Sequence, residues 1–179
     1  MAGTKLCEFR KTLIYFLVLF FFAACSEDTS QYETTFEKKN FSWTLVTTWP
    51  KNYPGVGLGP ENFAKLVEEM SDGRLKIKVY GHGELIPAVD VFDAVSRGTV
   101  EMGHGASYYW IGKLPVAQFF TTLPFGLNAQ ERNAWLHYAG GLELWEKAYE
   151  PFNLIPMAGG NTGVQMGGWF NKEINSLED

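Results

Sequence analysis

The chain has 179 residues, 46% hydrophobic and 20% charged, with a formal net charge of −5. That is the size and composition of an ordinary globular domain, and it excludes a disordered or fibrous chain. No block of Lys or Arg lies beyond the N-terminus, so the footprint of a nucleic-acid binder is missing, and the two cysteines, Cys7 and Cys25, are too few for a four-ligand zinc cluster.

In chain order, Lys5, Arg10 and Lys11 precede an apolar run at 13–22, followed by Ala23, Ala24 and Cys25. A basic start, a short apolar stretch and small residues make a secretory signal over 1–24. The stretch falls short of the ~20 residues a spanning helix needs. Phe22-Ala-Ala-Cys25 resembles a bacterial lipobox, with Phe22 where an aliphatic residue is usual, so Cys25 is the expected lipid-bearing first residue of the mature chain. Residues 25–40 are polar and read as a flexible tether.

Residues 41–49 are rich in Thr, Val and aromatics and predict a strand. The Pro- and Gly-containing stretch 50–59 is a loop. Pro60 suits a first helical turn, and Phe63, Leu66, Val67 and Met70 recur at helical spacing. After Asp72-Gly73, Leu75, Ile77 and Val79 alternate with Lys76, Lys78 and Tyr80, which predicts a half-exposed strand. Ala88, Val91, Phe92 and Val95 mark a short helix ending at Gly98, and 100–103 a short buried strand. A helix could begin in 105–113, and 115–126 is apolar and broken by two prolines. Asn128 and Glu131 form a capping-box pattern. The helix behind it breaks at Gly140-Gly141 and resumes through Leu144, Trp145 and Tyr149. Strands are expected at 154–158 and 164–170. Strands alternating with helices argue for an α/β fold with a largely parallel sheet. Ser176 and Asp179 read as a helix cap with no helix body behind them, which carries the expectation that the chain is a fragment of something longer.

The catalytic patterns are absent. Gly55-x-Gly57-x-Gly59 has its third glycine one place early for a dinucleotide fingerprint, and the next strand does not end in an acid. Gly159-Gly-Asn-Thr-Gly163 lacks the Lys-Ser/Thr of a phosphate loop. His82, His104 and His137 have no partner at metal-ligand spacing and read as loop or surface residues. Ser96 and Ser107 have no nucleophile-elbow context. Asp90/Asp93 and Glu68/Glu69 fall on solvated helix faces. Binding groups remain: Tyr108, Tyr109, Trp110, Asn161 and Gln165 lie near strand ends and Gly-rich turns, where α/β sheets collect ligands. Gln165 stands out as an amide within an apolar run, a setting in which a buried side chain must find several hydrogen bonds.

Five stretches together resemble one family: Ser42-Trp-Thr-Leu-Val-Thr-Thr-Trp-Pro-Lys-Asn-Tyr-Pro-Gly55, Gly-Glu-Leu-Ile-Pro-Ala88, Phe-Asp-Ala-Val-Ser96, Met102-Gly-His-Gly-Ala-Ser-Tyr-Tyr109 and Gly160-Asn-Thr-Gly-Val-Gln-Met-Gly-Gly-Trp-Phe-Asn171. It is the solute receptors of tripartite ATP-independent periplasmic (TRAP) transporters, in the subgroup that binds α-keto and 2-hydroxy carboxylates. The resemblance implies a two-lobed periplasmic-binding-protein fold that closes on a small organic carboxylate and delivers it to membrane permease subunits. It implies the first lobe at 41–160 and the opening strand of the second at 161–179. It also implies a Na or Ca ion bridging the ligand. Gln165 matches the family's ligand-contacting glutamine, which lies near that cation. Tyr109, with Tyr108 beside it, matches an aromatic position facing the cleft, and Asn161 and Trp49 match loop positions near the ligand. The family's carboxylate-clamping arginine and its Glu-Trp cation pair would follow Asp179. Competing readings are an α/β enzyme acting on a small carboxylate and a surface lipoprotein with a structural or signalling role.

Overall fold

The structure, a computed structural model, describes residues 39–179. The expected signal segment, Cys25 and almost all of the tether lie outside the described residues.

Strand β1, Phe41–Thr47, lies at the centre of a three-stranded sheet. Helix α1, Leu58–Met70, carries the chain to β2, Leu75–Tyr80, which pairs parallel with β1 from Phe41↔Leu75 to Val46↔Tyr80. On the other side β3, Met102–His104, pairs parallel with the last residues of β1, from Leu45↔Met102 to Thr47↔His104. The β2–β1–β3 order therefore buries only the carboxyl half of β1: Leu45, Val46 and Thr47 are buried while Phe41 and Trp43 are exposed. β2 alternates half-buried Leu75, Ile77 and Val79 with exposed Lys76 and Lys78, as its pattern predicts.

A turn of 3₁₀ helix, Ala88–Asp90, runs into α2, Val91–Ser96, and Gly98 ends the unit in a left-handed conformation. Two further 3₁₀ segments follow, Ser107–Trp110 and Pro115–Phe120. Asn128 caps α3, Ala129–Tyr138: its side chain accepts from the Gln130 and Glu131 N–H groups at 3.0 Å, and Glu131 accepts from the Asn128 N–H at 2.9 Å. α4, Gly141–Tyr149, begins after Gly140 at φ +80°, and a side chain at Gly141 would meet the Trp135 indole at 2.7 Å. The helix break expected at the glycine pair is thus also a close packing point. The core gathers Val46, Val91, Phe92, Val100, Trp110, Ala117 and Tyr149. The Phe92 ring touches Trp110, Tyr149 and Phe152 at 5.1–5.6 Å between centroids.

Three expectations are corrected. Phe63, Leu66 and Met70 do not form the inner face of α1; all three are exposed, and Pro60 and Ala64 are buried instead. The helix packs against β2. The stretch 105–113 forms a 3₁₀ turn rather than a helix. Neither 154–158 nor 164–170 is a strand. A strand needs a neighbour to satisfy its ladder, and neither segment pairs with the open edge of β2 or β3, so no strand forms at 164–170 here.

Candidate functional site

The carboxyl ends of β1 and β3 converge on one group of side chains. Beyond the last paired residues the Thr48 N–H donates to the His104 carbonyl oxygen at 2.9 Å, which carries the ladder one step further. Gly103 on β3 and Gly105 just beyond it leave no room for a side chain. A Cβ on Gly103 would lie 2.8 Å from Val91 and 2.9 Å from Val95, and one on Gly105 would lie 2.8 Å from Thr48. Tight packing of α2 and β1 against this strand explains the Gly-His-Gly spacing. Within it only His104 carries a side chain, and that side chain stands at the strand end.

The imidazole lies 5.1 Å from the Trp49 ring, with its Nδ1 3.2 Å from the Thr47 hydroxyl. The same hydroxyl, fully buried, accepts from the Trp49 N–H at 3.2 Å. Trp49 in turn faces Tyr109 at 6.3 Å, and Tyr108 and Tyr109 meet edge-on at 4.7 Å. Burial disfavours the charged forms, pushing the His104 imidazole below its ordinary value and the Tyr108 hydroxyl above its own. The Thr48 hydroxyl is buried at the base of the cluster and finds no hydrogen-bond partner among the described residues. The nearby loops are tied by Glu84, which accepts from the Gly81 N–H at 2.8 Å and pairs with Lys51 at 2.9 Å. These contacts, the Lys51 bond first, hold the Glu84 carboxyl below its usual range. The cluster is thus neutral and aromatic, with hydrogen-bonding groups at its rim.

Of the residues singled out in the sequence, Trp49, Tyr108 and Tyr109 come together. Asn161 and Gln165 do not join them. Asn161 folds back on its own loop, accepting from the Gly163 N–H at 2.6 Å, and Gln165 is exposed, 3.4 Å from the Thr162 hydroxyl. The expectation of a buried glutamine is therefore corrected: the run around it is open, with Val164 90% and Trp169 88% exposed. The same segment nonetheless starts beside the cluster, since a Cβ on Gly159 would sit 3.3–3.4 Å from the Cδ2–Nε2 edge of His104.

His82 and His137 are surface residues, as expected, but His104 is not. No local signal sets it apart, since His82 sits in the same Gly-His-Gly pattern after β2 and is exposed. Among the described residues no group of three His, Cys, Asp or Glu could hold a metal. The Gln165 amide oxygen suits a hard cation but is one of the roughly six to eight oxygens that calcium takes. The acidic pairs serve as surface charges: Glu68 pairs with Lys76 at 3.5 Å, and Asp93 pairs with Lys113 and Arg97.

A family model described as bacterial extracellular solute-binding protein, family 7, matches residues 45–179. A monocarboxylate 2-oxoacid-binding periplasmic protein from Nostoc is 52% identical over 140 residues, covering 78% of this chain and 38% of the relative. Among solved structures, a TRAP periplasmic solute-binding protein from Pseudoalteromonas atlantica, with bound sodium and pyruvate, is 49% identical with a TM-score of 0.75. One from Colwellia psychrerythraea, with bound calcium and pyruvate, is 49% identical with a TM-score of 0.76. Each of the two matches covers 78% of this chain and 43% of the solved one, so the chain spans less than half the length of these relatives. They place its α/β architecture within the periplasmic solute-binding fold.

Proposed function

This chain belongs to the bacterial extracellular solute-binding proteins of family 7, and we propose that it serves as the solute-capturing subunit of a TRAP-type transporter for small 2-oxo or 2-hydroxy monocarboxylates. The role is binding and delivery to membrane permease subunits, without turnover of the ligand. The observation that carries this reading is the neutral cluster of Trp49, His104, Tyr108 and Tyr109 at the strand ends, in a chain 52% identical to a 2-oxoacid-binding periplasmic protein.

Flat rings and single hydrogen-bond donors suit a small planar acid. They supply no positive charge, and an anion buried without a counter-charge is costly. A bound Na or Ca ion meets that need, in keeping with the sodium and calcium seen beside pyruvate in the relatives. Asn161 and Gln165 lie on the segment that leaves the cluster beyond Gly159, and Gln165 is assigned one oxygen toward the cation. The protein works in the periplasm, held at the membrane by lipid on Cys25. No described helix is long and apolar enough to cross a membrane.

Calorimetric titration of the intact protein with pyruvate, in sodium or calcium and again after chelation and desalting, tests the reading. Saturable pyruvate binding that weakens on removal of the cation is expected. Binding of a dicarboxylate such as succinate with no response to pyruvate would overturn it. For the anchor, Cys25→Ser should abolish the lipid-shifted mass and release the protein from the membrane; unchanged processing would remove that part.

A further inference from the structure

His104 is the one polar side chain of the strand-end cluster whose hydrogen-bonding role can be worked out atom by atom. A threonine hydroxyl has one proton and two lone pairs. The Thr47 oxygen spends one lone pair on the Trp49 N–H, at 3.2 Å, and its proton has one acceptor among the described residues, the His104 Nδ1 at 3.2 Å. With the hydroxyl proton given to that acceptor, Nδ1 accepts and the neutral imidazole carries its proton on Nε2. That Nε2–H has no protein acceptor among the described residues. The Cδ2–Nε2 edge of the ring faces Gly159, where a Cβ would lie only 3.3–3.4 Å away, and the Trp49 and His104 ring centroids are 5.1 Å apart.

We propose that His104 is a ligand-contacting residue whose Nε2–H donates to an acceptor oxygen of the bound small carboxylic acid, with Thr47 fixing the tautomer from behind. This rests on the reading that the strand-end cluster takes a small carboxylate. A neutral donor adds direction without adding charge, so it selects the placement of an oxygen rather than anions in general. Gly159 then keeps that edge clear of a side chain, since a methyl group there would crowd the same imidazole edge.

Two amide substitutions separate ligand contact from a structural role. In His104→Gln the terminal amide reaches the Nε2 position and keeps a donor toward the ligand. In His104→Asn the shorter amide reaches only the Nδ1 position, so it can keep the Thr47 bond but loses the outer donor. Pyruvate titration of the intact protein, corrected for folded fraction, should show His104→Gln near wild type and His104→Asn weakened by about tenfold to a hundredfold. The reverse order, or equal affinity in both variants, would overturn the proposal while leaving the pyruvate reading intact. Wild type that binds no pyruvate would overturn the reading itself and the contact with it. If His104→Asn does not fold, long-range ¹H–¹⁵N spectra of the wild-type imidazole decide. An Nε2–H tautomer whose proton moves downfield on adding pyruvate supports the contact; an Nδ1–H tautomer, or Nε2 resonances that pyruvate leaves unmoved, overturns it.

Discussion

Two stretches of this chain are close in composition and opposite in structure. Residues 103–110, Gly-His-Gly-Ala-Ser-Tyr-Tyr-Trp, and residues 159–170, Gly-Gly-Asn-Thr-Gly-Val-Gln-Met-Gly-Gly-Trp-Phe, both mix glycines with aromatic and polar groups. In the first, the glycines are contact points against Val91, Val95, Thr48 and Trp110. In the second, Gly167 meets nothing within 4 Å, Gly168 meets only the ring of Phe170, and the large side chains face outward. Glycine and aromatic content does not say which outcome follows. The presence of a packed neighbour does.

The comparison can be broken most directly with two phenylalanines. Phe92→Ala, which removes the core ring packed on Trp110 of the first stretch, should cost about 3–5 kcal/mol of unfolding free energy, whereas Phe170→Ala in the second should stay within about 0.5 kcal/mol of wild type. Urea unfolding of the two variants reads this difference, and a large loss for Phe170→Ala would show that the second stretch is packed after all. Two glycines sharpen it. Gly103→Ala forces a methyl group against Val91 and Val95 and should cost about 1–3 kcal/mol, while Gly167→Ala should change stability by less than about 0.5 kcal/mol in the same assay.

Less is expected from the cap of α3. Asn128→Ala removes the acceptor for two backbone N–H groups and should lower stability by about 1 kcal/mol, with Asn128→Asp restoring most of it. The smallest effect is in pH. Burial holds the folded His104 below its ordinary value of 6.5, so as pH falls below that value the unfolded chain takes up a proton before the folded one does. The stability contributed by the neutral ring is present above the unfolded value and is lost as pH falls toward the folded one. Unfolding measured between about pH 7 and about pH 5 should show this decline, and His104→Gln should flatten it.

Local patterns were the readable part of the sequence. Asn128 and Glu131 announce a cap because both halves of the box lie within four residues, and the alternation of β2 and the break at Gly140-Gly141 are equally local. The family motifs, too, were visible as runs of residues, and the family model and relatives agree with them. What could not be read was which apolar face finds a partner. Phe63, Leu66 and Met70 have the spacing of a buried stripe, yet they are exposed and Pro60 and Ala64 are buried instead. The run at 164–170 has the composition of a strand but no neighbour to pair with. His104 was misread for the same reason: a lone histidine between glycines looks like a loop residue until Thr47 and Trp49, 57 and 55 positions earlier, are placed beside it.

The contact between Trp49 and His104 gives the molecule an internal optical probe. Indole emission responds to the polarity and charge of its immediate surroundings, and this indole has an imidazole at 5.1 Å and a phenol at 6.3 Å as ring neighbours. Trp110 is buried on the core side, and Trp43 and Trp169 lie open to solvent. A solute settling beside Trp49 would displace water from that indole while leaving exposed Trp43 and Trp169, and Trp135 and Trp145 stacked on Phe120, in their former surroundings. The spectral change on filling the site should therefore disappear in Trp49→Phe, which makes occupancy readable without a label.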